Sequence, residues 1–264
     1  MMDVVRRMRP ALGTFVEAGC SASAGLPALD AAFASLALAQ ERWSFQDPGS
    51  ELSRINGSDG AWVAVHGDTV RLLRLARGLM LASGGYFDFT VGGAQVHRGS
   101  LPDHGGLPAL ERGSALDVEL DREAVRLRRP VRLVLDGIAK GFAVDVACRA
   151  MRQAGAAAGW INAGGDIRVF GDIELPIALR GDDGGVHPCG TLRNGAFASS
   201  MVTARRDESF GADIIGPVGL APQEGIWSVT ARSAWRADAL TKVAAIAPAK
   251  VRAELLARLG GQLA

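Results

Sequence analysis

Residues 131–171, VRLVLDGIAKGFAVDVACRAMRQAGAAAGWINAGGDIRVFG, decide how the rest of the chain is read. Val131, Leu133 and Leu135 alternate as in a half-buried strand, whereas Ala143, Val146, Ala147, Ala150, Met151 and Ala154 recur at helical spacing. The period changes at Gly137, so the segment predicts strand, glycine turn, helix, loop and strand. Gly137 and Gly141 flank Lys140 where the helix begins, so free backbone N–H groups, the positive helix end and an ammonium converge on one spot. An anion, most simply a phosphate, suits that spot, although packing alone also produces glycine-rich turns with a solvated lysine. The last strand is entered through Asn162-Ala163-Gly164-Gly165-Asp166, where two glycines admit a close backbone approach and two short polar side chains fix a ligand's orientation.

Composition narrows the classes. The chain has 264 residues, 48% of them hydrophobic, and a formal charge of +1. That length suffices for one large or two small domains with a full core. Interspersed charges near neutrality give no case for nucleic acid or an anionic membrane surface. Cys20, Cys148 and Cys189 lie far apart without metal or disulfide spacing, which fits a reducing compartment. No apolar run approaches the roughly 20 residues of a membrane span. Cys20 follows Glu17-Ala18-Gly19, with Pro10 and Gly13 upstream, which is not an acylation site; the expectation is a cytoplasmic protein.

Elsewhere the pattern alternates helices and strands without repeat or linker. Helices are expected at 30–43, at 68–82 before a glycine stop at Ser83-Gly84-Gly85, and from Pro248 onward. Strands are expected at 11–18, as a hairpin at 117–120 and 124–127, at 172–180 before a turn at 181–185, and at 226–231. Ser50 to Ser53 also reads as a capped helix start. His97 and His104 fall in a polar, glycine-rich stretch and are expected to face solvent.

The wording DGIAKGFAVD followed by INAGGDIRVFG closely resembles the paired signature of the ApbE family, the FAD:protein FMN transferases. Five further boxes follow the family's order: Leu12-Gly13-Thr14, Trp43 to Asn56 with its S-E-L-S-R-x-N core, Gly85-Tyr86-Phe87-Asp88-Phe89-Thr90-Val91-Gly92, Asp213-Ile214-Ile215-Gly216-Pro217, and Ala237-Asp238-Ala239-Leu240-Thr241-Lys242. Gly195 to Met201 stands where the family has A-T-S-G. The resemblance implies an α+β, T-fold-related domain of mixed sheets and packed helices spanning residues 10–264. It implies FAD as substrate, a divalent cation such as Mg²⁺, and transfer of FMN to a threonine hydroxyl of an acceptor flavoprotein. Residue by residue, it puts Leu12, Phe45, Tyr86, Phe87, Asp88, Asp136, Lys140, Asn162, Gly164, Gly165, Asp166 and Ile214 against FAD. The metal falls to the Gly137 carbonyl, Asp238 and Thr241, and catalysis to Asp238 and Asp213; Glu51, Ser53 and Asn56 hold their loop by local hydrogen bonds.

The departures cluster in the transfer boxes. Lys242 stands at the family threonine, Val134 at an aspartate that Asp136 can partly replace, Asp213 at a histidine, Gly216 at an aspartate, and Met201 at a glycine. One residue turns a side chain about 100° around a helix, so two orientations stay open. Either Lys242 points outward and Thr241 supplies the ligand, or the ammonium stands in for the metal. Two functions follow: an FMN transferase, or an FAD-binding protein of the same fold that carries, senses or assembles without transfer.

Overall fold

The computed structural model describes residues 3–180, 185–203 and 214–264. The turn expected at 181–185 falls almost wholly outside them, as does Asp213. In chain order come β1 (Val4–Ala11), β2 (Thr14–Ser21), α1 (Gly25–Trp43), α2 (Glu51–Asn56), β3 (Val63–Ala64), α3 (Gly67–Ala82) and α4 (Gly92–His97). A short 3₁₀ turn (Ala115–Asp117) leads to β4 (Val118–Leu120), β5 (Ala124–Leu127), α5 (Ala139–Gln153), β6 (Gly159–Ala163), β7 (Asp166–Phe170) and β8 (Glu174–Arg180). The chain closes through β9 (Val186–Arg193), β10 (Ala196–Val202), β11 (Gly225–Ala231), α6 (Ala234–Ile246), α7 (Ala249–Arg258) and β12 (Gly261–Leu263). The fold is α+β, and the ladders between the named strands are antiparallel.

Contacts divide the chain into two compact units, one of Met1–Ala39, Lys140–Thr203 and Gln223–Ala264, the other of Gln40–Ala139 and Ala204–Pro222. The first is built on a sheet ordered β1-β2-β6-β7-β10-β11-β12. Its strands alternate faces, so paired residues share one. Asp166, Arg168, Ala198 and Ser200 fall on the face that receives α5 and α6. Trp160, Ile167, Val169 and Phe197 fall on the other, where Ile177 and Leu192 of the β8–β9 hairpin cover them. Gly19 is required beneath that indole, since a Cβ there would meet the Trp160 ring at 2.2 Å.

Both hairpins at the site end of this sheet use two-residue turns with positive φ at each residue: Leu12 (53°) and Gly13 (70°), then Gly164 (61°) and Gly165 (101°). Such turns match the strands' right-handed twist. Residues 162–166 are therefore a hairpin, with Asn162 inside β6, rather than a loop leading to a lone strand. Asn162 Oδ1 accepts from the Gly165 N–H at 3.0 Å and braces the turn. A Cβ at Gly164 would lie 2.6 Å from Thr14 Oγ1, so the two turns pack side by side.

The second unit contains α2, α3, α4 and the small sheet β3-β5-β4. Here the expected strand at 131–135 is corrected. Its residues are all buried, and only Val131 makes a ladder bridge, to Leu110. An amide side chain takes the place of a neighbouring strand: Leu133 N–H donates to Asn56 Oδ1 at 2.7 Å and Asn56 Nδ2 donates to the Leu133 carbonyl at 2.9 Å. Val134 N–H then bonds the Phe89 carbonyl, and Gly92 N–H the Arg132 carbonyl. Asn56 thus ties segments 77 residues apart, beyond the local role its box suggested. Ser53 and Ser50 do act locally, Ser50 as the cap of α2, while the Glu51 carboxylate accepts from Thr69 Oγ1 and the His66 N–H.

Candidate functional site

In the first unit, α5 presents Lys140 and Gly141, its second and third residues, to the sheet and to α6. Lys140 Nζ lies 3.1 Å from Asp166 Oδ2. Asp166 is 2% exposed, and burial, aided by the charge of Asp238, pushes its carboxyl up to about 6 against the opposing pull of Lys140 and Lys242. The anion spot read from the sequence is thus already paired: the ammonium has a carboxylate, and the Gly141 N–H donates to Asp238 Oδ2 at 3.0 Å. Gly141 must be glycine for this approach, because a Cβ would meet the Ala234 carbonyl oxygen at 2.3 Å.

Asp238 is held within α6 at 1% exposure. Its second carboxylate oxygen, Oδ1, accepts from Lys242 Nζ at 2.5 Å, one helical turn on. The same ammonium reaches Ser200 Oγ at 3.1 Å and the Asp238 carbonyl at 3.3 Å. Thr241 Oγ1 donates to that carbonyl at 2.6 Å and shares a hydrogen bond with Ser200 Oγ at 2.7 Å. Lys242 therefore points inward, its side chain 19% exposed. Asp238 and Thr241, expected to hold a metal, are turned to other partners instead. Among the described residues no cluster of three or more His, Cys, Asp or Glu side chains has metal-binding geometry. The donor set does not suit a divalent ion, because each oxygen of Asp238 and Thr241 already meets an N–H or O–H donor.

The cluster Lys140, Asp166, Ser200, Asp238, Thr241 and Lys242 is thus a set of two ammonium–carboxylate pairs at one end of the sheet. Removing one partner of such a buried pair costs about 3–5 kcal/mol. Ser200 is the member that sequence reasoning did not assign, and Lys242 takes the inward one of the two orientations it left open. Ser200's place in the A-T-S-G box was the available signal. Leu12, Asn162, Gly164 and Gly165 lie in the same unit, in the two turns and their strands.

In the second unit the box from Gly85 to Gly92 is closed on itself. Asp88 Oδ1 accepts from the Thr90 N–H and hydroxyl at 2.8 and 2.7 Å, and Oδ2 takes Arg112 Nη1 at 2.7 Å. Arg112 also donates to the Gly216 carbonyl. Asp88, expected against FAD, anchors its own loop, with a side chain 1% exposed. Phe45 and Phe87, expected against the flavin, are 2% and 3% exposed and belong to the core of this unit. Phe45 also packs on His104, whose Nε2 lies 2.7 Å from the Phe45 carbonyl oxygen; the exposed histidine is therefore tethered. Tyr86 and Ile214 are half-buried, Gly137 is half-buried in the turn before α5, and Asp136 is exposed there.

Comparison with curated proteins gives no match. Among solved structures, the ApbE protein of Thermotoga maritima superposes with a TM-score of 0.82 at 24% identity, covering 99% of this chain and 93% of that one. The apo flavinyl transferase ApbE of Pseudomonas stutzeri gives 0.75 at 17% identity, over 92% of this chain and 84% of its own. The flavin transferase ApbE of Vibrio cholerae gives 0.74 at 20%, over 92% and 87%. At these identities the likeness is one of fold. The family model for ApbE matches residues 12–264, nearly the whole chain, and the protein therefore belongs to the ApbE family.

Proposed function

We propose that this protein acts on FAD as a flavin transferase, moving FMN to a threonine hydroxyl of an acceptor flavoprotein. The relatives named flavin and flavinyl transferases support the reaction class. The observation that carries it to this chain is the lysine–carboxylate cluster beside the glycine hairpin, where Lys140, paired with Asp166, has a side chain 34% exposed. In the reaction, the threonine oxygen attacks the FMN-side phosphorus of the diphosphate. The P–O bond to AMP breaks, AMP leaves, and the hydroxyl proton passes to a base.

Within the cluster, Lys140 neutralises phosphate charge and Asp166 sets the balance of charge around it. Charge-assisted contacts of this kind contribute roughly 1.5–3 kcal/mol each. The Gly164-Gly165 turn, lacking side chains, lets backbone approach the ligand. No step passes through a divalent ion, since the residues present do not fit one. Asp238 and Asp213 remain the candidate catalytic groups from the family reading, Asp213 lying outside the described residues.

A second reading is favoured by one observation. The Asp238 carboxylate is engaged on both oxygens, by Lys242 and by the Gly141 N–H, so both are already committed to donors of the protein itself. On this reading the protein binds FAD and does not transfer. The two are separated by incubating the protein with FAD and a threonine-bearing acceptor flavoprotein, with and without Mg²⁺, and following AMP and the flavinylated acceptor by chromatography. Release of AMP with turnover establishes the transferase, while FAD that stays bound and intact establishes the binding protein. Failure to bind FAD overturns both.

A further inference from the structure

We infer that Lys242 supplies a fixed positive charge in the place where the family reading puts a divalent cation, so that this protein engages the phosphates of FAD without a metal. The inference rests on FAD being the ligand, but its first test does not require FAD. Four contacts carry it. The Lys242 ammonium touches Asp238 Oδ1, the Asp238 carbonyl and Ser200 Oγ, which are three oxygens of the kind a hard cation selects. The fourth is the Gly141 N–H on Asp238 Oδ2, which occupies the remaining carboxylate oxygen.

Position follows from the helix. Lys242 is four residues after Asp238, so both lie on the face of α6 that meets β10, where Ser200 stands. A side chain with a flexible stem and a compact charge reaches the carboxylate from that register, and a threonine at 242 is too short to do so. A doubly charged ion seated on Asp238 would have to displace this ammonium and would be repelled by it at close range. Because the three donors of Lys242 are all directed at protein oxygens, it acts as a standing charge. Lys140, more exposed, makes the direct approach to phosphate.

The test is a Mn²⁺ titration of the protein without FAD, followed by electron paramagnetic resonance and by calorimetry. Wild type is expected to show no saturable binding in the millimolar range. Lys242→Thr is expected to gain a single site, and Lys242→Thr combined with Asp238→Asn to lose it. Saturable Mn²⁺ binding by wild type that Asp238→Asn abolishes overturns the inference. Should Lys242→Thr fail to fold, the wild-type titration still decides. A parallel FAD titration in EDTA and in Mg²⁺ then follows: equal affinity supports the inference and a loss of about tenfold or more in EDTA overturns it. Absence of FAD binding in both buffers removes the proposed function, while the Mn²⁺ result continues to judge the metal site.

Discussion

Asp166 sits almost wholly out of solvent between Lys140 and the charge of Asp238, and its carboxyl is pushed up to about 6. In the unfolded chain it returns to about 3.9. The folded state therefore takes up a proton between those values, and the group's contribution to stability is fully present below about pH 4 and lost as pH rises through about 6. Asn at this position cannot titrate. Wild type should accordingly gain stability relative to Asp166→Asn on going from pH 7.5 to 4.5, by at most about 3 kcal/mol. Urea unfolding of both proteins at the two pH values measures it, and a difference independent of pH would place the proton elsewhere. The sequence announced Lys140 and Asp166 separately, through a helix start and a glycine turn. Their pairing was not legible, because it depends on β7 and α5 meeting across a sheet. The direction of Lys242 was equally hidden, since neighbouring helical positions differ by about 100° and only the placement of β10 decides which one faces inward.

Among the elements, α5 and the β4–β5 hairpin were legible from period alone, because each has one face buried and the other only half-buried. Residues 131–135 misled for a definite reason. Their alternation is that of a strand, but the stretch is buried on all sides and its hydrogen bonds go to the Asn56 side chain and to loop carbonyls. No local pattern signals a partner 77 residues away. The strand β12 and the β9 partner of β8 were missed likewise, the first being only three residues long. The substitution Asn56→Ala should leave the Leu133 N–H and carbonyl without partners and destabilise the fold by about 2–6 kcal/mol, from two groups left unsatisfied at roughly 1–3 kcal/mol each. Asn56→Asp should also destabilise, because a carboxylate accepts from the Leu133 N–H but repels its carbonyl. Chemical denaturation measures both, and an Asn56→Ala protein as stable as wild type would mean that water replaces the amide.

Over the whole molecule the charges nearly cancel, with a formal net of +1. Net charge alone therefore gives an anionic nucleotide little attraction, and the proposed recognition rests on local contacts. In the proposed function those contacts are the glycine hairpin, the half-buried Lys140 and the internal charge of Lys242. They suit a dinucleotide with a diphosphate, and the family suits the flavin end. If FAD is the ligand and the protein's own cation serves its phosphates, binding needs no added metal. The most direct measurement is titration of the protein with FAD, followed by flavin fluorescence, in a buffer containing EDTA, with NAD as the competing dinucleotide. Saturable FAD binding that excess NAD does not displace is the result expected. No binding until Mg²⁺ is restored, or displacement by NAD at equal concentration, would contradict it.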